Sequence, residues 1–318
     1  MTWVRDLFAR AGRSTLIRLV ITAAILAYLA TRIDMAEAAR AVAAIRGPHL
    51  LTVLGLVAID RVVMVLRWIL LLRASGIAIS SRDATRLFLV SSFVGSFLPA
   101  GVGADAARAY GLARESTTGS EALASVAVDR LLGVLSLVVM GAVGLMVWDP
   151  GGRGDWRVAA AAVVVAGACV AVFWADQWLR WLVPAHRHEG SVTRRVLRLS
   201  DAVSRYRNRR GVLVHVMAWS LMVQLLRITQ AYILALGLGM TVPFSYFLLF
   251  MPIGLLMLLL PISISGFGLP QGVIVWLLRP TGVPDTSSFA LSTLIVLTGL
   301  AGNLPGLWLW LRSRDRQT

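Results

Sequence analysis

Long apolar runs, separated by loops that contain arginine, dominate the chain. A helix of roughly 20 apolar residues is long enough to cross the hydrocarbon core of a bilayer. The pattern predicts six full spans, at about 14–31, 49–72, 119–147, 157–176, 211–236 and 286–311. We expect the first run to remain as a span, because no small-x-small cleavage site for a secretory signal follows Ala30. The pattern therefore indicates an all-α, polytopic membrane protein.

Two further apolar segments, 84–98 and 244–262, are each interrupted by proline and glycine. The sequence reads LPAGVGADAARAYG from Leu98 and LPISISGFGLPQG from Leu260. Proline ends a helix and glycine permits a tight turn, so each segment should turn back on itself as a helical hairpin. The predicted re-entrant segments are 84–118, broken at Pro99, Gly101 and Gly103, and 244–279, broken at Pro261, Ser263, Ser265, Gly266 and Gly268.

The distribution of arginines distinguishes segments that cross the membrane from segments that return. Short cytoplasmic loops of membrane proteins carry the excess of positive residues. If both segments return, 21 arginines lie in the cytoplasm and 6 outside; if both cross, 12 lie inside and 15 outside. The count predicts hairpins that enter from opposite faces, as in an inverted repeat, and places both termini in the cytoplasm.

The whole chain, 1–318, is predicted to be a single transmembrane domain. Its first half is 14–147 and its second half is 211–311, and a basic cytoplasmic loop at 177–210 precedes the second half. Apolar residues recur at helical spacing in 191–210, which predicts an amphipathic helix on the membrane surface. Two roles are open for this helix, one that only orients the protein and one that contacts a bound lipid.

The net charge of +15 comes from a chain whose basic residues are all arginine. These arginines lie beside spans and no nucleic-acid motif accompanies them, so membrane lipids rather than nucleic acid are the expected partners. The single Cys169 excludes an intramolecular disulfide, and the four histidines form no metal-ligand pattern. No metal or cofactor is predicted, and the expected location is the cell membrane, inner or plasma.

Ionisable residues interrupt three of the predicted spans. They are Asp60, Arg61 and Arg67 in the second span, Asp129 and Arg130 in the third and Arg227 in the fifth, with Asp105 and Arg108 in the first re-entrant segment. Each charge costs roughly 2.5–3.5 kcal/mol at the bilayer centre, so these side chains should face the interior of the bundle. Five arginines against three aspartates leave a surplus of about two positive charges.

The surplus favours a site for an anionic headgroup, because the guanidinium fork suits phosphate. The residues predicted to bind the headgroup are Arg67, Asp105, Arg108, Asp129, Arg130 and Arg227. The alternative is that ion pairs within the protein only tie the helices together.

Four stretches of sequence together resemble one known family. They are Arg67-Trp68, SSFVGSFLPAGVGADAARAY, Ala127-x-Asp129-Arg130 and LPISISGFG. Over nearly its whole length the chain resembles the lysylphosphatidylglycerol synthase transmembrane, or flippase-like, family. The resemblance implies paired re-entrant hairpins around a lipid-sized cavity. In members fused to a cytosolic aminoacyltransferase, the membrane part moves the modified phospholipid between leaflets; this chain resembles the membrane part only, so no synthase activity is expected.

Two departures from the family pattern are visible. The usual Gly-Gly-Asp is Gly103-Ala104-Asp105 here, a small change in the backbone. The second motif usually continues with an Arg-Glu pair, whereas this chain has Pro270-Gln271. The second departure argues against a charge-based role for the second hairpin.

The function expected from these features is transport of an anionic phospholipid or a polyprenyl-phosphate-linked lipid across the bilayer. Two alternatives remain open. One is a lipid-binding subunit that presents its lipid to a partner enzyme, such as a lipid-modifying enzyme. The other is an intramembrane lipid transferase that uses Asp105 or Asp129 as a base; otherwise no catalytic residue is predicted.

Overall fold

A computed structural model describes residues 33–98, 103–115, 118–148, 154–174, 209–257 and 268–314, together with Thr31, Gln177, Ser200, Asp201 and Ser204. Within these ranges the chain is helical and contains no strand. The helices are α1 (Met35–Ala43), α2 (Gly47–Ser75), α3 (Ser81–Gly95), α4 (Gly103–Glu115), α5 (Gly119–Val147), α6 (Gly154–Phe173), α7 (Arg210–Gly237), α8 (Phe244–Met257), α9 (Leu269–Leu278), α10 (Asp285–Ala301) and α11 (Leu304–Arg314). The predicted all-α class is confirmed.

Four helical segments are long and apolar enough to cross a membrane, when only the described residues are considered. They are Gly47–Ser75, Gly119–Val147, Gly211–Gly237 and Asp285–Arg312, and they coincide with four of the six predicted spans. The predicted span 157–176 corresponds to α6, whose apolar part is the shorter Ala159–Ala171. The predicted span 14–31 and most of the basic loop 177–210 lie outside the described residues.

The predicted span 286–311 consists of two helices, α10 and α11, with a turn at Gly302 and Asn303. Pro305 lies in the first turn of α11. It has no N–H to donate, and its ring crowds the carbonyl four residues earlier, which favours the break at Gly302 and Asn303. Gly302 lies against Val57 and Arg61 of α2, where a Cβ atom would overlap the Val57 side chain.

Helices α2 and α7 pack side by side and run in opposite directions. Arg67 of α2 contacts Ser220 at 3.0 Å, and Asp60 contacts Arg227 at 3.3 Å. Because the residue numbers fall along one helix as they rise along the other, the two helices are antiparallel.

The first hairpin is formed by α3 and α4. At its open end Arg86 and Glu115 approach to 3.7 Å, and at its closed end Gly95 packs directly on Ala104. The helices have 15 and 13 residues, so they are about 22 and 20 Å long. Both are shorter than the roughly 30 Å hydrocarbon core of a bilayer.

The second hairpin is formed by α8 and α9. Near its open end the Tyr246 hydroxyl donates a hydrogen bond to the carbonyl oxygen of Leu277. The two helices have 14 and 10 residues, or about 21 and 15 Å. The closed end, residues 258–267, lies outside the described residues.

The two hairpins point in opposite directions. The open end of the first follows the end of α2, and the open end of the second follows the end of α7. Since α2 and α7 are antiparallel, the open ends lie at opposite ends of the bundle. This opposite orientation is the one that the sequence predicted; that the two halves form an inverted repeat stays a prediction.

A close glycine contact holds each hairpin against a helix of the other half. Gly144 of α5 lies on the backbone of Leu248 in the second hairpin. Gly306 of α11 lies on the backbone of Leu89 in the first. At either position a Cβ atom would overlap the neighbouring backbone, so only glycine permits this distance.

Candidate functional site

A cavity of about 330 Å³ lies between α2, the first hairpin, α5 and α7. It is lined by Arg61, Met64, Arg67, Ser92, Ala104, Asp105, Arg108, Asp129, Arg130, Gly133, Val134, Leu137, Val223, Gln224, Arg227, Leu255 and Asn303. All six residues predicted to bind a headgroup therefore line this one cavity. The structure places them together although they come from four different helices.

The most deeply buried part of the site is centred on Asp129. One carboxylate oxygen lies 2.8 Å from the Arg67 guanidinium, and the other lies 3.2 Å from that of Arg108. Arg67 also donates to the hydroxyl oxygen of Ser220 at 3.0 Å, and Arg108 stacks over the Phe88 ring at 4.3 Å. The side chains of the two arginines are only 5% and 4% exposed, so they are fixed in place on the wall of the cavity.

Asp105 extends this group toward the open part of the cavity. Its carboxylate lies 3.3 Å from the Arg108 guanidinium and 3.4 Å from that of Arg130. The side chain of Arg130 is 39% exposed, far more than that of Arg108. We name Arg67, Arg108, Arg130, Asp105 and Asp129 the Asp129 cluster.

A second group surrounds Asp60. Its carboxylate lies 3.3 Å from the Arg227 guanidinium and 3.8 Å from that of Arg61. The sulfur of Met64 lies between the two arginines, 3.0 Å from Arg227 and 3.7 Å from Arg61. Asp60 is buried, whereas the side chains of Arg227 and Arg61 are 29% and 19% exposed. We name Asp60, Arg61 and Arg227 the Asp60 cluster.

Each cluster contains one more arginine than aspartate. Each of the three carboxylates contacts two guanidiniums. The Asp129 cluster contains three arginines and two aspartates, and the Asp60 cluster contains two arginines and one aspartate. Each cluster therefore has a formal charge of one positive unit, and both face the same cavity.

Two neutral amides also line the cavity. Gln224 donates from Nε2 to the Ser136 hydroxyl at 3.1 Å, and Asn303 donates from Nδ2 to the Ser96 hydroxyl at 2.8 Å. Within the described part of the chain, the buried Oε1 of Gln224 and Oδ1 of Asn303 accept no hydrogen bond. Both oxygens can accept a hydrogen bond from a bound molecule or from water.

Four polar residues that line the cavity were not among the predicted headgroup ligands: Arg61, Ser92, Gln224 and Asn303. Arg61 was included in the charge count but not among the predicted headgroup ligands, although it lines the cavity. Asn303 was not recognised at all. Its only signal is the stretch Gly302-Asn303-Leu304-Pro305, which is typical of a break in a helix.

Of the residues predicted to break the hairpins, the structure describes Gly103 and Gly268. Gly103 begins α4 and lies against the Leu98 side chain. Gly268 precedes α9 with a φ of 91°, a conformation that favours glycine. The other predicted positions lie outside the described residues; they are Pro99, Gly101, Pro261, Ser263, Ser265 and Gly266.

Comparison with known proteins agrees with the resemblance seen in the motifs. The family model described as the lysylphosphatidylglycerol synthase TM region matches residues 15–306. No curated protein matches the chain. The match includes both hairpins and both charged clusters.

Proposed function

Since the chain belongs to the family of the lysylphosphatidylglycerol synthase transmembrane region, we propose that it moves an anionic phospholipid or a polyprenyl-phosphate-linked lipid across the bilayer. The family and the apolar helices make it a multi-pass membrane protein of lipid metabolism or transport. The observation that carries the proposal is the surplus of arginine over aspartate around one cavity. In this proposal the headgroup occupies that cavity.

The size of the cavity supports a headgroup rather than a whole lipid as its occupant. Ligand pockets have volumes of roughly 300–1,000 Å³, and the 330 Å³ of this cavity lies at the lower limit. The acyl or polyprenyl chains therefore remain in the surrounding bilayer. Only the polar part of the lipid, which the hydrocarbon core cannot solvate, passes among the arginines.

The exposures of the arginines suggest how the headgroup is held. Arg67 and Arg108 are fixed by Asp129 and contribute a stationary positive potential. Arg130, Arg227 and Arg61 are partly exposed, so they are able to donate hydrogen bonds to phosphate oxygens. Because these donors are already in position, they replace the water that the headgroup loses, and the barrier to translocation falls.

The hairpins provide the polar path in this proposal. We infer that both enter the membrane and return, since their helices are about 15–22 Å long and the hydrocarbon core is about 30 Å thick. Broken backbone is tolerated at membrane depth only where it is buried in protein or lines a wet cavity. Ala104 and Asp105, in the first turn of α4, line the cavity. We retain the prediction that both termini face the cytoplasm.

The proposal is tested in vesicles that contain the purified protein and a phosphatidylglycerol labelled on an acyl chain. We compare wild type with Arg130→Gln and with Arg279→Gln, which removes an equal charge from the exposed pair with Asp285. Arg130→Gln should slow lipid movement about tenfold or more, because a charge-assisted hydrogen bond is lost. Arg279→Gln should retain the wild-type rate.

Equal rates for the three proteins, at equal amounts of folded protein, would remove the proposed site. If wild type binds the lipid and moves none of it, the protein instead presents lipid to a partner enzyme.

A further inference from the structure

Two amide side chains in the cavity use their N–H groups within the protein and leave their carbonyl oxygens for a ligand. We propose that Gln224 and Asn303 determine specificity by accepting hydrogen bonds from hydroxyl groups of the headgroup, beside its phosphate. This inference rests on the proposed function and specifies its substrate class, an anionic lipid whose polar part carries hydroxyl groups.

The orientation of the Gln224 amide is fixed by Ser136. The Ser136 hydroxyl donates its only proton to the carbonyl oxygen of Gly133 at 2.7 Å, so it can only accept from the Nε2 group of Gln224, which lies 3.1 Å away. Nε2 also lies 3.5 Å from the Gly133 carbonyl oxygen, which has no proton to give. A reversed amide would lose both contacts. Gln224 is 3% exposed and lines the cavity, and no donor among the described residues reaches its Oε1.

The Asn303 amide is held in the same way by Ser96. The Ser96 hydroxyl donates to the carbonyl oxygen of Ser92 at 3.1 Å and therefore accepts from Nδ2 of Asn303 at 2.8 Å. The Oδ1 atom is buried and receives no hydrogen bond within the part of the chain that the structure describes. A buried acceptor without a donor is costly, so both amide oxygens favour a ligand that supplies O–H groups.

Both amides adjoin arginines of the Asp60 cluster. Gln224 lies three residues before Arg227 on α7, so the two side chains are neighbours on one face, with Cβ atoms about 5–6 Å apart. The glycine before Asn303 lies so close to α2 that a Cβ atom there would be 3.0 Å from Nε of Arg61. The guanidiniums of Arg227 and Arg61 contact one carboxylate, that of Asp60. A phosphate bound by either arginine therefore lies beside one of the amides.

An ammonium group could also donate to these oxygens, but the surrounding charges disfavour it. Each of the three carboxylates in the two clusters already contacts two guanidiniums. A cation placed among them would be buried without a carboxylate of its own, which is costly. A hydroxyl donates its hydrogen bond without adding charge. Glycerol, another polyol or a sugar attached to the phosphate therefore fits best.

The test compares two lipids that differ only in their hydroxyl groups, with the full-length protein in nanodiscs. Phosphatidylglycerol has two hydroxyls beyond its phosphate, whereas phosphatidylpropanol has the same charge and the same number of headgroup carbons and no hydroxyl. Phosphatidylglycerol should bind about tenfold more tightly or better, because the analogue leaves the buried oxygens without donors. Phosphatidylethanolamine should bind more weakly than phosphatidylglycerol. Soluble glycerol phosphate at equal concentration should not displace the lipid.

Variants separate recognition of the hydroxyls from an effect on the fold. Gln224→Met and Asn303→Leu each remove one carbonyl oxygen, so each should reduce the preference for phosphatidylglycerol over phosphatidylpropanol to about threefold, and the double variant should abolish it. Gln271→Met changes a matched buried glutamine in the second hairpin and should leave the preference unchanged. The ratio of the two affinities is the readout, since a variant that only disturbs the fold lowers both affinities together.

Equal affinity of wild type for phosphatidylglycerol and phosphatidylpropanol, or an unchanged preference in the double variant, would overturn the inference and leave the proposed function standing. Tighter binding of phosphatidylethanolamine would assign the two oxygens to an ammonium group and overturn it as well. Displacement by glycerol phosphate would overturn the choice of a lipid as ligand. Failure to bind either anionic lipid would overturn the proposed function itself.

Discussion

Each of the two hairpins consists of two short helices, but the first contains charged residues and the second contains none. The first contains charged residues in both of its helices, and two of them, Asp105 and Arg108, line the cavity. Residues 244–278, which include the second hairpin, contain no charged residue. The second hairpin therefore contributes packing where the first contributes charge.

Gln271 shows what replaces charge in the second hairpin. It is completely buried, and its Oε1 accepts a hydrogen bond from the backbone N–H of Gly268 at 2.7 Å. It thereby satisfies one of the free N–H groups at the start of α9. Where the family usually has an Arg-Glu pair, this chain has Pro270-Gln271. The hydrogen bond of Gln271 joins it to a residue only three positions earlier in the chain.

The largest expected effect comes from removing the charge that anchors the first hairpin. Asp129→Asn keeps the shape of the side chain but leaves the buried Arg67 and Arg108 without their shared carboxylate. The free energy of unfolding should fall by about 3–5 kcal/mol, as when one partner of a buried ion pair is removed. Chemical unfolding in detergent micelles measures this change.

The matched control is Asp285→Asn, which removes the same charge from an exposed pair with Arg279. It should cost less than about 1 kcal/mol. Similar small losses in both variants would show that the ion pairs of the first hairpin do not anchor it.

The next effect concerns the contact that holds the second hairpin. Gly144→Ala places a methyl group on the backbone of Leu248, and overpacking costs about 1–3 kcal/mol. The new methyl group meets backbone rather than a flexible side chain, so the upper end of this range applies. Alanine recovers up to about 1 kcal/mol of helix propensity, so we expect a net loss of roughly 2 kcal/mol. In Gly141→Ala, on the same helix, the new Cβ would lie 3.5 Å from Pro252, an ordinary contact. Thermal unfolding should rank the first variant below wild type and the second at or above it.

A substitution at Gln271 should lower the stability of the protein without changing the rate of lipid movement. Gln271→Leu leaves the N–H of Gly268 unpaired and should lower the free energy of unfolding by about 1–2 kcal/mol. The rate of lipid movement per folded molecule should remain at the wild-type value, because no charge changes in the cavity. A rate that falls as far as that of Arg130→Gln would assign the second hairpin a direct part in transport.

The smallest losses of stability are expected from substitutions at the open ends of the two hairpins. Tyr246→Phe removes the hydrogen bond to Leu277 in the second hairpin and should cost about 1 kcal/mol. Arg86→Gln breaks the partly exposed pair with Glu115 in the first and should cost about 0.5 kcal/mol or less. Melting temperatures measured in one detergent test this order, and a reversed order would contradict it.

Local signals, namely proline and glycine after an apolar segment of fewer than about 20 residues, led to the prediction of two hairpins, and that these re-enter the membrane stays a prediction. The count of five arginines against three aspartates could be read from the positions of these residues within the predicted segments. The sequence could not assign the ion pairs. Asp60 and Arg67 lie on one helix at a spacing of seven residues, yet Asp60 pairs with Arg227 and Arg67 with Asp129. Such partners depend on how α2, α5 and α7 pack.

Two further features were not predicted. The short helix α1 is preceded by the N-cap residue Asp34, whose carboxylate accepts hydrogen bonds from the N–H groups of Ala36 and Glu37. Aspartate is a preferred N-cap residue, so the sequence contained a signal for the start of this helix. The break at Gly302 and Asn303 was obscured by the apolar residues on both sides, although Pro305 marked it. Asn303 entered the site only because this turn meets Ser96 of the first hairpin.

Native mass spectrometry of the lipids that remain bound after purification tests most directly whether the arginines of the cavity hold a lipid headgroup. We compare wild type, the double variant Arg130→Gln/Arg227→Gln and the control Arg279→Gln. We expect wild type and the control to retain an anionic, phosphate-containing lipid and the double variant to lose most of it. If the double variant retains the same anionic lipid in the same amount, Arg130 and Arg227 do not hold the headgroup and the proposed site is wrong.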